Sequence, residues 1–405
     1  MLLDLIVIGG GAAGFFTAIR LAEQVPSSRI LILEKSNKLL SKVKVSGGGR
    51  CNVTHACFDP KEMIDHYPRG SQELLGPFHR FLCGDMMEWL EERGVPTKIE
   101  SDGRVFPVTD RSQTIIDCFL EICSQRDIMI RTSEAMQSLS YERETWVVST
   151  LSGNLKARRV MIATGSTPSV WKILGAMGLK ITPPVPSLFT FNIKHRLLEG
   201  LMGLSVPAGL IRITDSRIQA EGPILITHWG LSGPAVLRLS AWAARELNEV
   251  DYAFQISVDW SGQGRAAVSE ILEQRRHEHG RKKVKAFPLE GFARRFWERI
   301  CEQSGIREEN FASLSRQKFD RLVGLVTECR LEVSGKSTFK EEFVTCGGVD
   351  RKELDFKTMQ SKQFPGLYFA GEVIDIDAIT GGFNFQAAWT EAYIAAEDMA
   401  AHLES

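Results

Sequence analysis

The sequence predicts an α/β protein in which a Rossmann-type dinucleotide-binding domain is interrupted by an inserted domain. Three observations lead to this fold class. At the start of the chain, a buried strand is followed by a glycine cluster and a helix. After a proline-rich stretch, the sequence changes to short strand-like runs that alternate with turns. Near the end, another buried strand precedes a glycine-rich helix start. Both ends of the chain are therefore expected to build one nucleotide site.

The first element is an apolar run at residues 4–8, which is typical of a strand buried on both faces. Gly9, Gly11 and Gly14 follow it at G-x-G-x-x-G spacing, and apolar residues then recur at helical intervals over residues 12–24. Gly9 permits a tight turn, Gly11 lets the backbone approach a pyrophosphate, and Gly14 lets the helix pack closely on the sheet. The spacing therefore predicts a phosphate site at the helix start.

The helix start and the next strand supply further contacts. Ala12 and Ala13 open the helix, whose positive end favours phosphate. A second apolar strand at residues 29–33 leads into Glu34 and Lys35. Glu34 lies about 20 residues past the glycines, where an acid accepts hydrogen bonds from a ribose.

Composition limits the function classes. The chain has 405 residues, with 49 basic and 50 acidic side chains, so net charge gives no argument for nucleic acid or an anionic membrane. No apolar stretch is long enough to span a bilayer, and the N-terminal run is a strand rather than a signal peptide. Eight scattered cysteines show no zinc spacing, which favours a reducing cytoplasm and no metal site. Five of them, Cys83, Cys118, Cys123, Cys301 and Cys329, fall in helix-like segments and are interpreted as core thiols.

Residues 40–55 read LSKVKVSGGGRCNVTH, which we interpret as a loop. Three consecutive glycines allow the backbone to wrap tightly and to present a row of N–H donors. Lysine and arginine side chains add positive charge, so the segment suits an anionic cofactor. The residues expected at that cofactor are Lys42, Ser46, Gly47, Gly48, Gly49, Arg50 and Asn52.

Five blocks of sequence resemble one flavoprotein family. They are SGGGRCN, GRVFPVTDRSQTIIDCF, ITHWGLSGPAVLRLS, VTCGGVD and GLYFAGEVIDIDAITGGFNFQAAWTEAY. Together they resemble the BaiN/RdsA-type, or YhiN-like, FAD-dependent oxidoreductases, some of which are described as aminoacetone oxidases. The resemblance runs nearly end to end. It implies FAD as the cofactor, in a glutathione-reductase-like topology with an inserted β-rich domain that carries a helical subdomain.

The middle of the first domain is predicted to contain helices at residues 72–93 and at residues 112–125, the second capped by Ser112, and a strand at residues 128–131. A hairpin is expected from residues 145–151 and 159–164, separated by an SGN turn. In similar flavoproteins the chain returns to the dinucleotide at such a strand end and passes the adenine after the strand near residue 128. The implied contacts are Met136, Ala163, Thr164 and Gly165.

The prolines of residues 181–189 mark the first domain boundary. Short strands alternate with turns up to residue 259, and a helix is expected to begin near Pro234. His228, in the block HWGLSGP, is a weak candidate for acid–base catalysis because its ordinary pKa lies near neutrality. Residues 265–330 read as helices and contain a basic run at residues 275–285, which we interpret as a solvated face.

The return segment begins near residue 341. The predicted domains are residues 1–186 and 341–405 for FAD, and residues 187–340 for the insert, β-rich at 187–262 and 331–340 and helical at 263–330. A final strand at residues 366–370 leads to Gly371 and Glu372, and the resemblance implies that Glu372 binds the ribityl chain. The last helix begins near a cluster that suits the flavin ring and its negative charge when reduced, namely Thr380, Gly381, Gly382, Phe383 and Asn384.

These features predict a cytoplasmic FAD-dependent oxidoreductase that acts on a small molecule, with no nucleic-acid or membrane partner. The electron donor is left open between the substrate itself and transiently bound NADH or NADPH, because the sequence has no second G-x-G-x-x-G unit. The rival within the flavin class is dithiol chemistry at Cys51 and Cys57, although their spacing is one residue longer than C-x-x-x-x-C. An RNA-interacting flavin module and a flavin-dependent scaffold are the alternatives from other classes.

Overall fold

The computed structural model describes residues 2–337 and 344–403, which form two compact units. Unit 1 comprises residues 2–185 and 344–403, and unit 2 comprises residues 186–337. The predicted crossing at residues 186–187 lies beside this division. The predicted return at residues 340–341 lies outside the described residues.

The first segment of unit 1 mixes strands and helices. Its strands are β1 (Leu2–Ile8), β2 (Ile30–Leu33), β3 (Thr54–His55), β4 (Thr97–Ile99), β5 (Arg104–Pro107), β6 (Met129–Arg131), β7 (Met136–Glu142), β8 (Thr145–Thr150), β9 (Gly153–Ile162) and β10 (Ile181–Pro186). Its helices are α1 (Ala12–Gln24), α2 (Ser41–Gly49), α3 (Pro60–Ile64), α4 (Ser71–Phe78), α5 (Cys83–Glu91), α6 (Ser112–Gln125) and α7 (Pro168–Ala176).

Unit 2 is one continuous segment of the chain. Its strands are β11 (Thr190–Asn192), β12 (Ser205–Ile213), β13 (Gln219–Ile226), β14 (Gly230–Ser232), β15 (Ala253–Asp259), β16 (Cys329–Ser334) and β17 (Lys336–Ser337). Its helices are α8 (Pro234–Trp242), α9 (Ala244–Glu249), α10 (Gly264–Glu278), α11 (Arg294–Gln303) and α12 (Arg316–Thr327). The return segment of unit 1 contains β18 (Thr345–Val349), β19 (Leu354–Asp355), β20 (Gln360–Ser361), β21 (Leu367–Phe369) and α13 (Phe383–Ala401).

The main sheet of unit 1 has the order β19-β20-β21-β9-β1-β2-β6, and the pairs β21–β9, β9–β1, β1–β2 and β2–β6 are parallel. Strand β1 is central, with Leu5 opposite both Ile30 and Arg159. Because β1 is covered on both faces, its inner residues from Leu5 to Val7 are fully buried, as the continuous apolar run predicts. The carboxyl ends of these strands therefore gather the predicted site residues at one edge.

The predicted hairpin is confirmed as β8 and β9, although β9 begins at Gly153 and a further antiparallel strand, β7, pairs with β8. Helix α1 has the predicted bounds, and α8 begins at the predicted Pro234. Helix α1 packs against α13, so the first and last helices share one face of the sheet. Around them the rings of Phe16, Trp89, Phe119 and Trp389 lie 5.0–6.4 Å apart.

Four local predictions are wrong. Residues 40–55 are not simply a loop, because Ser41 begins the helix α2, whose backbone leaves helical geometry at residues 46–48. The expected helix at residues 72–93 is two helices, α4 and α5. Ser112 does not cap α6, since its hydroxyl donates to the Lys44 carbonyl oxygen instead. Cys329 begins the strand β16, although it is buried like the other cysteines.

The described strands of unit 2 form an antiparallel sheet with the order β16-β15-β12-β13-β14-β11-β17. Its apolar core joins the sheet to α10, α11 and α12, with Trp260 and Phe296 packed edge to face at 5.0 Å. These helices match the helical part that the sequence predicts after residue 263. Within residues 2–337 and 344–403, no helix combines the length and apolar character that a membrane span requires.

Candidate functional site

The turn from β1 into α1 has the geometry that its glycines predict. Gly9 has a φ of +116°, and a Cβ there would lie 2.3 Å from the Ala163 carbonyl oxygen. A Cβ on Gly14 would lie 2.0 Å from the Gly9 carbonyl oxygen. A Cβ on Gly11 would meet nothing within 4 Å. Gly9 and Gly14 are therefore needed for the fold, whereas Gly11 leaves open space in front of the helix start, as a bound pyrophosphate requires.

Glu34 lies at the end of β2, beside this turn. One carboxylate oxygen accepts the Gly10 N–H at 2.9 Å, and the other accepts the Ser36 N–H at 2.8 Å. Each oxygen keeps a second lone pair, so the carboxylate is oriented and can still accept from a ribose hydroxyl. The Glu134 N–H bonds the Glu34 carbonyl oxygen at 2.9 Å, so the segment that leads to Met136 runs beside Glu34, where the sequence predicts the adenosine end.

The end of β9 closes the other side of the turn. The Ala163 N–H bonds the Ile8 carbonyl oxygen at 2.8 Å, and Thr164 and Gly165 follow with Gly165 at a φ of +60°. Lys35 reaches across this edge, since its Nζ lies 3.3 Å from the Thr167 hydroxyl. The structure therefore brings the predicted residues of β2 and β9 together at the carboxyl edge of the sheet.

Glu372 links three segments of unit 1. Its Oε1 accepts the Thr345 N–H at 2.9 Å, and its Oε2 forms an ion pair with Lys42 of α2. A Cβ on Gly165 would lie 4.0 Å from that same Oε2. Gly371, directly before it, packs against Ala13 of α1. The predicted ribityl ligand thus lies beside the end of β9, with a lysine that balances its charge.

The SGGG segment has a left-handed backbone. Gly47, Gly48 and Gly49 have φ values of +58°, +69° and +86°. At Gly47 a Cβ would lie 2.7 Å from the Phe106 ring, so this position needs glycine, whereas Gly48 faces open space. The Ser46 hydroxyl donates to the Val43 carbonyl oxygen at 3.0 Å and so stabilises the end of the helical turn. The row of N–H donors that the sequence predicts is compatible with this backbone.

Arg50 does not present a free charge as the sequence suggests. Its guanidinium lies 2.6 Å from Glu100 and 3.5 Å from Asp110, and it stacks over the Phe106 ring at 3.9 Å. The hydrogen bond to Glu100 raises the pKa of Arg50 further. Two carboxylates therefore compete with any phosphate for this side chain, which corrects the expected role of its charge.

The segment after Arg50 meets the start of α13. A Cβ on Gly382 would lie 2.5 Å from the Thr54 carbonyl oxygen and 3.0 Å from Asn52 Oδ1. The Thr54 hydroxyl donates to Gln386 Oε1 at 2.6 Å, and Trp389 Nε1 donates to the Val53 carbonyl oxygen at 2.9 Å. The two chain ends are therefore bonded together where the sequence predicts the flavin.

Asn52 supplies the sharpest indication of a ligand. Its side chain is buried, yet no described residue donates to its Oδ1. Leaving a buried acceptor unpaired costs about 1–3 kcal/mol. A donor from a bound cofactor would remove that cost, and the helix start of Gly381 and Gly382, with φ values of +136° and +99°, lies beside it. These residues fit FAD.

The other predicted residues near α13 hold the segment before it. Asn384 accepts the Ala378 N–H at 3.0 Å and donates to the Ala378 carbonyl oxygen at 3.1 Å, so its amide is used within the protein. Thr380 is exposed, and Phe383 is buried under the start of the helix. Asn384 is thus interpreted as a residue that shapes the cofactor turn.

A stack of aromatic rings that the sequence does not indicate lies at this helix start. Phe383 lies between His55 and His66, with ring centroids 4.5 Å and 4.1 Å away, and His55 Nδ1 lies 3.1 Å from the Gly381 carbonyl oxygen. Both histidines line a cavity of about 580 Å³ together with residues 56–59 and Glu62. His55 belongs to the segment already singled out, but the sequence around His66 carries no recognisable motif.

The two weak catalytic candidates lie in different surroundings. Burial raises the pKa of the Cys51 thiol to about 12, and burial likewise raises that of Cys57, so both thiols stay protonated near neutral pH. This disfavours the nucleophilic thiolate that dithiol chemistry needs. His228 lies in unit 2 at the exposed tip between β13 and β14, with Nδ1 2.9 Å from Met202 Sδ. Its catalytic role stays a prediction.

One protein-family model matches nearly the whole chain. The model described as "HI0933-like protein Rossmann domain" matches residues 3–398. The chain belongs to this HI0933-like family. The Rossmann-type FAD-binding fold and the predicted class, an FAD-dependent oxidoreductase, are confirmed at this level.

Relatives with assigned names span the whole chain. The Escherichia coli strain K12 protein named "Ribosomal RNA dihydrouridine synthase" is 29% identical over 410 residues, which cover 98% of either chain. The Clostridium scindens protein named "3-dehydro-bile acid delta(4,6)-reductase" is 26% identical and covers 96% of this chain and 97% of its own. The resemblance to the BaiN/RdsA-type family is therefore confirmed.

Solved structures agree on the fold. The Escherichia coli quinol fumarate reductase FrdA aligns with a TM-score of 0.51 and 14% identity, over 100% of this chain and 71% of that one. The open conformation of a flavocytochrome c3 fumarate reductase aligns with a TM-score of 0.50 and 14% identity, over 100% of this chain and 79% of that one. At this identity the likeness concerns the fold alone.

Proposed function

We propose that the protein is an FAD-dependent reductase of carbon–carbon double bonds conjugated with a carbonyl group, and that its substrate is a uracil base in RNA. The observation that supports this is the full-length similarity to two relatives whose names describe one chemistry. A dihydrouridine synthase saturates the ring double bond of uridine. A delta(4,6)-reductase of a 3-dehydro bile acid acts on double bonds that are conjugated with a ketone.

Each part of FAD would be held by a different group of residues. Gly9, Gly11, Gly14, Ala12 and Ala13 would accommodate the pyrophosphate at the start of α1, and Glu34 and Lys35 the adenosine ribose. Glu372 would accept from the ribityl hydroxyls while Lys42 balances its charge. When bound, FAD supplies the hydride that the reaction consumes.

The start of α13 would orient the flavin ring. Its first N–H groups point out of the helix without intrahelical partners, and they favour negative charge on a neighbouring group. Asn52 Oδ1 would accept a hydrogen bond there, because it is buried and lacks a described donor. Glycines at positions 381 and 382 allow this turn to lie close to the segment of Asn52 and Thr54, because a Cβ on Gly382 would lie 2.5 Å from the Thr54 carbonyl oxygen.

The electrons would come from NADH or NADPH. In the net reaction, hydride adds to one carbon of the substrate double bond and a proton adds to the other, while the nicotinamide is oxidised to NAD⁺ or NADP⁺. The chain has no second G-x-G-x-x-G unit, so the donor would bind transiently.

A second candidate substrate is a small electron-poor alkene. The Clostridium scindens relative supports it, and it agrees with the sequence-based expectation of a small-molecule substrate without a nucleic-acid partner. Both candidate substrates accept a hydride at a double bond. They differ in the molecule that carries this bond, which is either an RNA or a small alkene.

The test begins under anaerobic conditions with the purified, yellow protein. NADH or NADPH is added, and bleaching of the flavin absorption is followed. Unmodified transcripts of ribosomal RNA, or a conjugated steroid ketone, are then supplied, and products are identified by mass spectrometry. We expect bleaching and dihydrouridine in the RNA. Reduction of the ketone alone would favour the second candidate, and no reduction of either would refute the proposal.

A glycine pair provides the matched variants. Gly11→Val places a side chain in the open space before α1. Gly76→Val is the control, because it adds the same side chain to α4, where a Cβ also meets nothing within 4 Å. We expect the Gly11 variant to fold and lose FAD and activity, and the Gly76 variant to keep both. Equal FAD content in the two variants would contradict the proposed cofactor position.

A further inference from the structure

Unit 2 carries an exposed basic and aromatic surface that the FAD site does not explain. Its centre is the tip between β13 and β14, where Trp229 is 55% exposed. The Thr227 hydroxyl accepts the N–H groups of Trp229 and Gly230, at 3.3 Å and 3.2 Å, and the Thr227 N–H bonds the Gly230 carbonyl oxygen at 2.8 Å. A short, internally bonded turn therefore presents the indole ring to solvent.

The basic part comes from the loop beside that tip. The Ile193 N–H bonds the Trp229 carbonyl oxygen at 2.8 Å, which places Lys194 and Arg196 next to the turn. His228 at the tip contacts Met202, which follows the same loop and is 62% exposed. The tip and the loop of residues 194–203 thus form one continuous surface.

Helix α11 adds two more arginines to it. Arg295 donates to the Gly200 carbonyl oxygen and Arg299 to the Arg196 carbonyl oxygen, each at 2.7 Å. Arg299 also forms an ion pair with a carboxylate, since its Nε lies 3.9 Å from Glu302. Within the described residues, Lys194, Arg196 and Arg295 form no such ion pair. Their positive charge is therefore available, and Glu199 is the acidic side chain on the same loop.

The basic run at residues 275–285 differs in this respect. Arg275 and Arg276 donate to the carbonyl oxygens of Phe287 and Leu314. Lys283 and Lys285 pair with Glu308 and Glu302. Most of that run is therefore engaged in contacts within the helical part of unit 2, whereas Arg281 and Lys282 are exposed, so the interpretation as a solvated face holds only for part of it.

We propose that the surface of Lys194, Arg196, Trp229, Arg295 and Arg299 docks single-stranded RNA. Arginine and lysine neutralise phosphates, and an exposed indole ring stacks on a base. The combination of available cations with a rigid, solvent-facing tryptophan distinguishes this surface from an ordinary charged face. This inference rests on the proposed function and names the part of the molecule that would recognise its RNA.

The test measures binding of a fluorescent, uridine-rich single-stranded oligoribonucleotide to the FAD-containing protein at several salt concentrations. Lys194→Glu combined with Arg196→Glu removes two phosphate contacts, so the slope of log affinity against log salt should become shallower by about 1.4. The matched control, Arg281→Glu combined with Lys282→Glu, has the same charge change on exposed residues of unit 2 and should keep the slope.

Trp229→Ala should weaken binding by roughly 5- to 150-fold, while Trp229→Phe should retain most of it, because the loss is that of a stacking ring. Trp242, which is 43% exposed, provides the control Trp242→Ala. FAD content and melting temperature verify that each variant is folded. Equal losses in variant and control, or no binding by the wild type, would overturn the proposed surface.

Dihydrouridine formation is measured on the same variants, which separates the two proposals. Weakened RNA binding in the surface variants without any dihydrouridine from the wild type would leave the docking surface standing and refute the substrate. Dihydrouridine formed at wild-type rates by all variants would refute the docking surface and leave the substrate standing.

Discussion

Glu391 should make the stability of this protein depend on pH in a specific direction. The residue lies in α13 and is 1% exposed, and its Oε2 accepts the Gly371 N–H at 2.6 Å. Burial raises the pKa of the Glu391 carboxyl to about 8 from its ordinary value of 4.5. The folded state therefore retains a proton that the unfolded chain releases at lower pH.

The sign and size follow from proton linkage. Because the folded-state pKa is raised, each pH unit between the unfolded and folded values destabilises the folded state by about 1.4 kcal/mol. Between pH 6 and pH 8 the free energy of unfolding should fall by about 2–3 kcal/mol, because ionisation of the folded state begins near the upper limit. The contribution of protonated Glu391 to the free energy of unfolding is greatest at low pH and is lost as the pH rises.

Glu391→Gln tests this directly. The glutamine can still accept from the Gly371 N–H but does not titrate, so the variant should gain on the wild type as pH rises from 6 to 8. Urea unfolding of the FAD-containing proteins, followed by tryptophan fluorescence at several pH values, gives both free energies. A difference between variant and wild type that stays constant across that range would refute the reasoning.

Three further substitutions in unit 1 have expected outcomes. Gly14→Ala should lower the free energy of unfolding by about 1–3 kcal/mol, since its Cβ would meet the carbonyl oxygen of the preceding turn; an unchanged urea midpoint would contradict this. Cys51→Ala combined with Cys57→Ala should keep flavin bleaching by NADH or NADPH, because both thiols stay protonated; lost bleaching with FAD retained would restore the dithiol mechanism. Asp377→Asn should lower the free energy of unfolding by about 1.5–3 kcal/mol, because the mostly buried Arg69 guanidinium would lose its ion pair with the Asp377 carboxylate; thermal melting at wild-type temperature would exclude that cost.

The sequence predicts the local parts of the site well. The strand, the glycines and α1 are short-range features, and their conformations follow from sterics that act over a few residues. Gly9 and Gly14 have the close approaches that their spacing implies. The same holds for the hairpin β8–β9, whose turn residues are adjacent in the sequence.

The parts that the sequence could not predict depend on distant partners. The ion pair between Lys42 and Glu372 joins residues 330 positions apart, and the stack of Phe383 with His55 and His66 joins the two chain ends. Arg50 reads as an anion-binding residue until Glu100 and Asp110 are placed beside it. Charge type is visible in a sequence, but whether a charge is already paired depends on tertiary structure.

Two relatives whose names describe different substrates differ from this chain without an added domain. The two relatives whose names describe RNA and a bile acid each align with at least 96% of this chain and cover nearly all of their own length. The FAD turn alone cannot distinguish such different molecules, because its geometry follows from the cofactor. We therefore expect the difference to lie outside that turn, and the proposed docking surface around Trp229 is the part of the molecule that the variants above test.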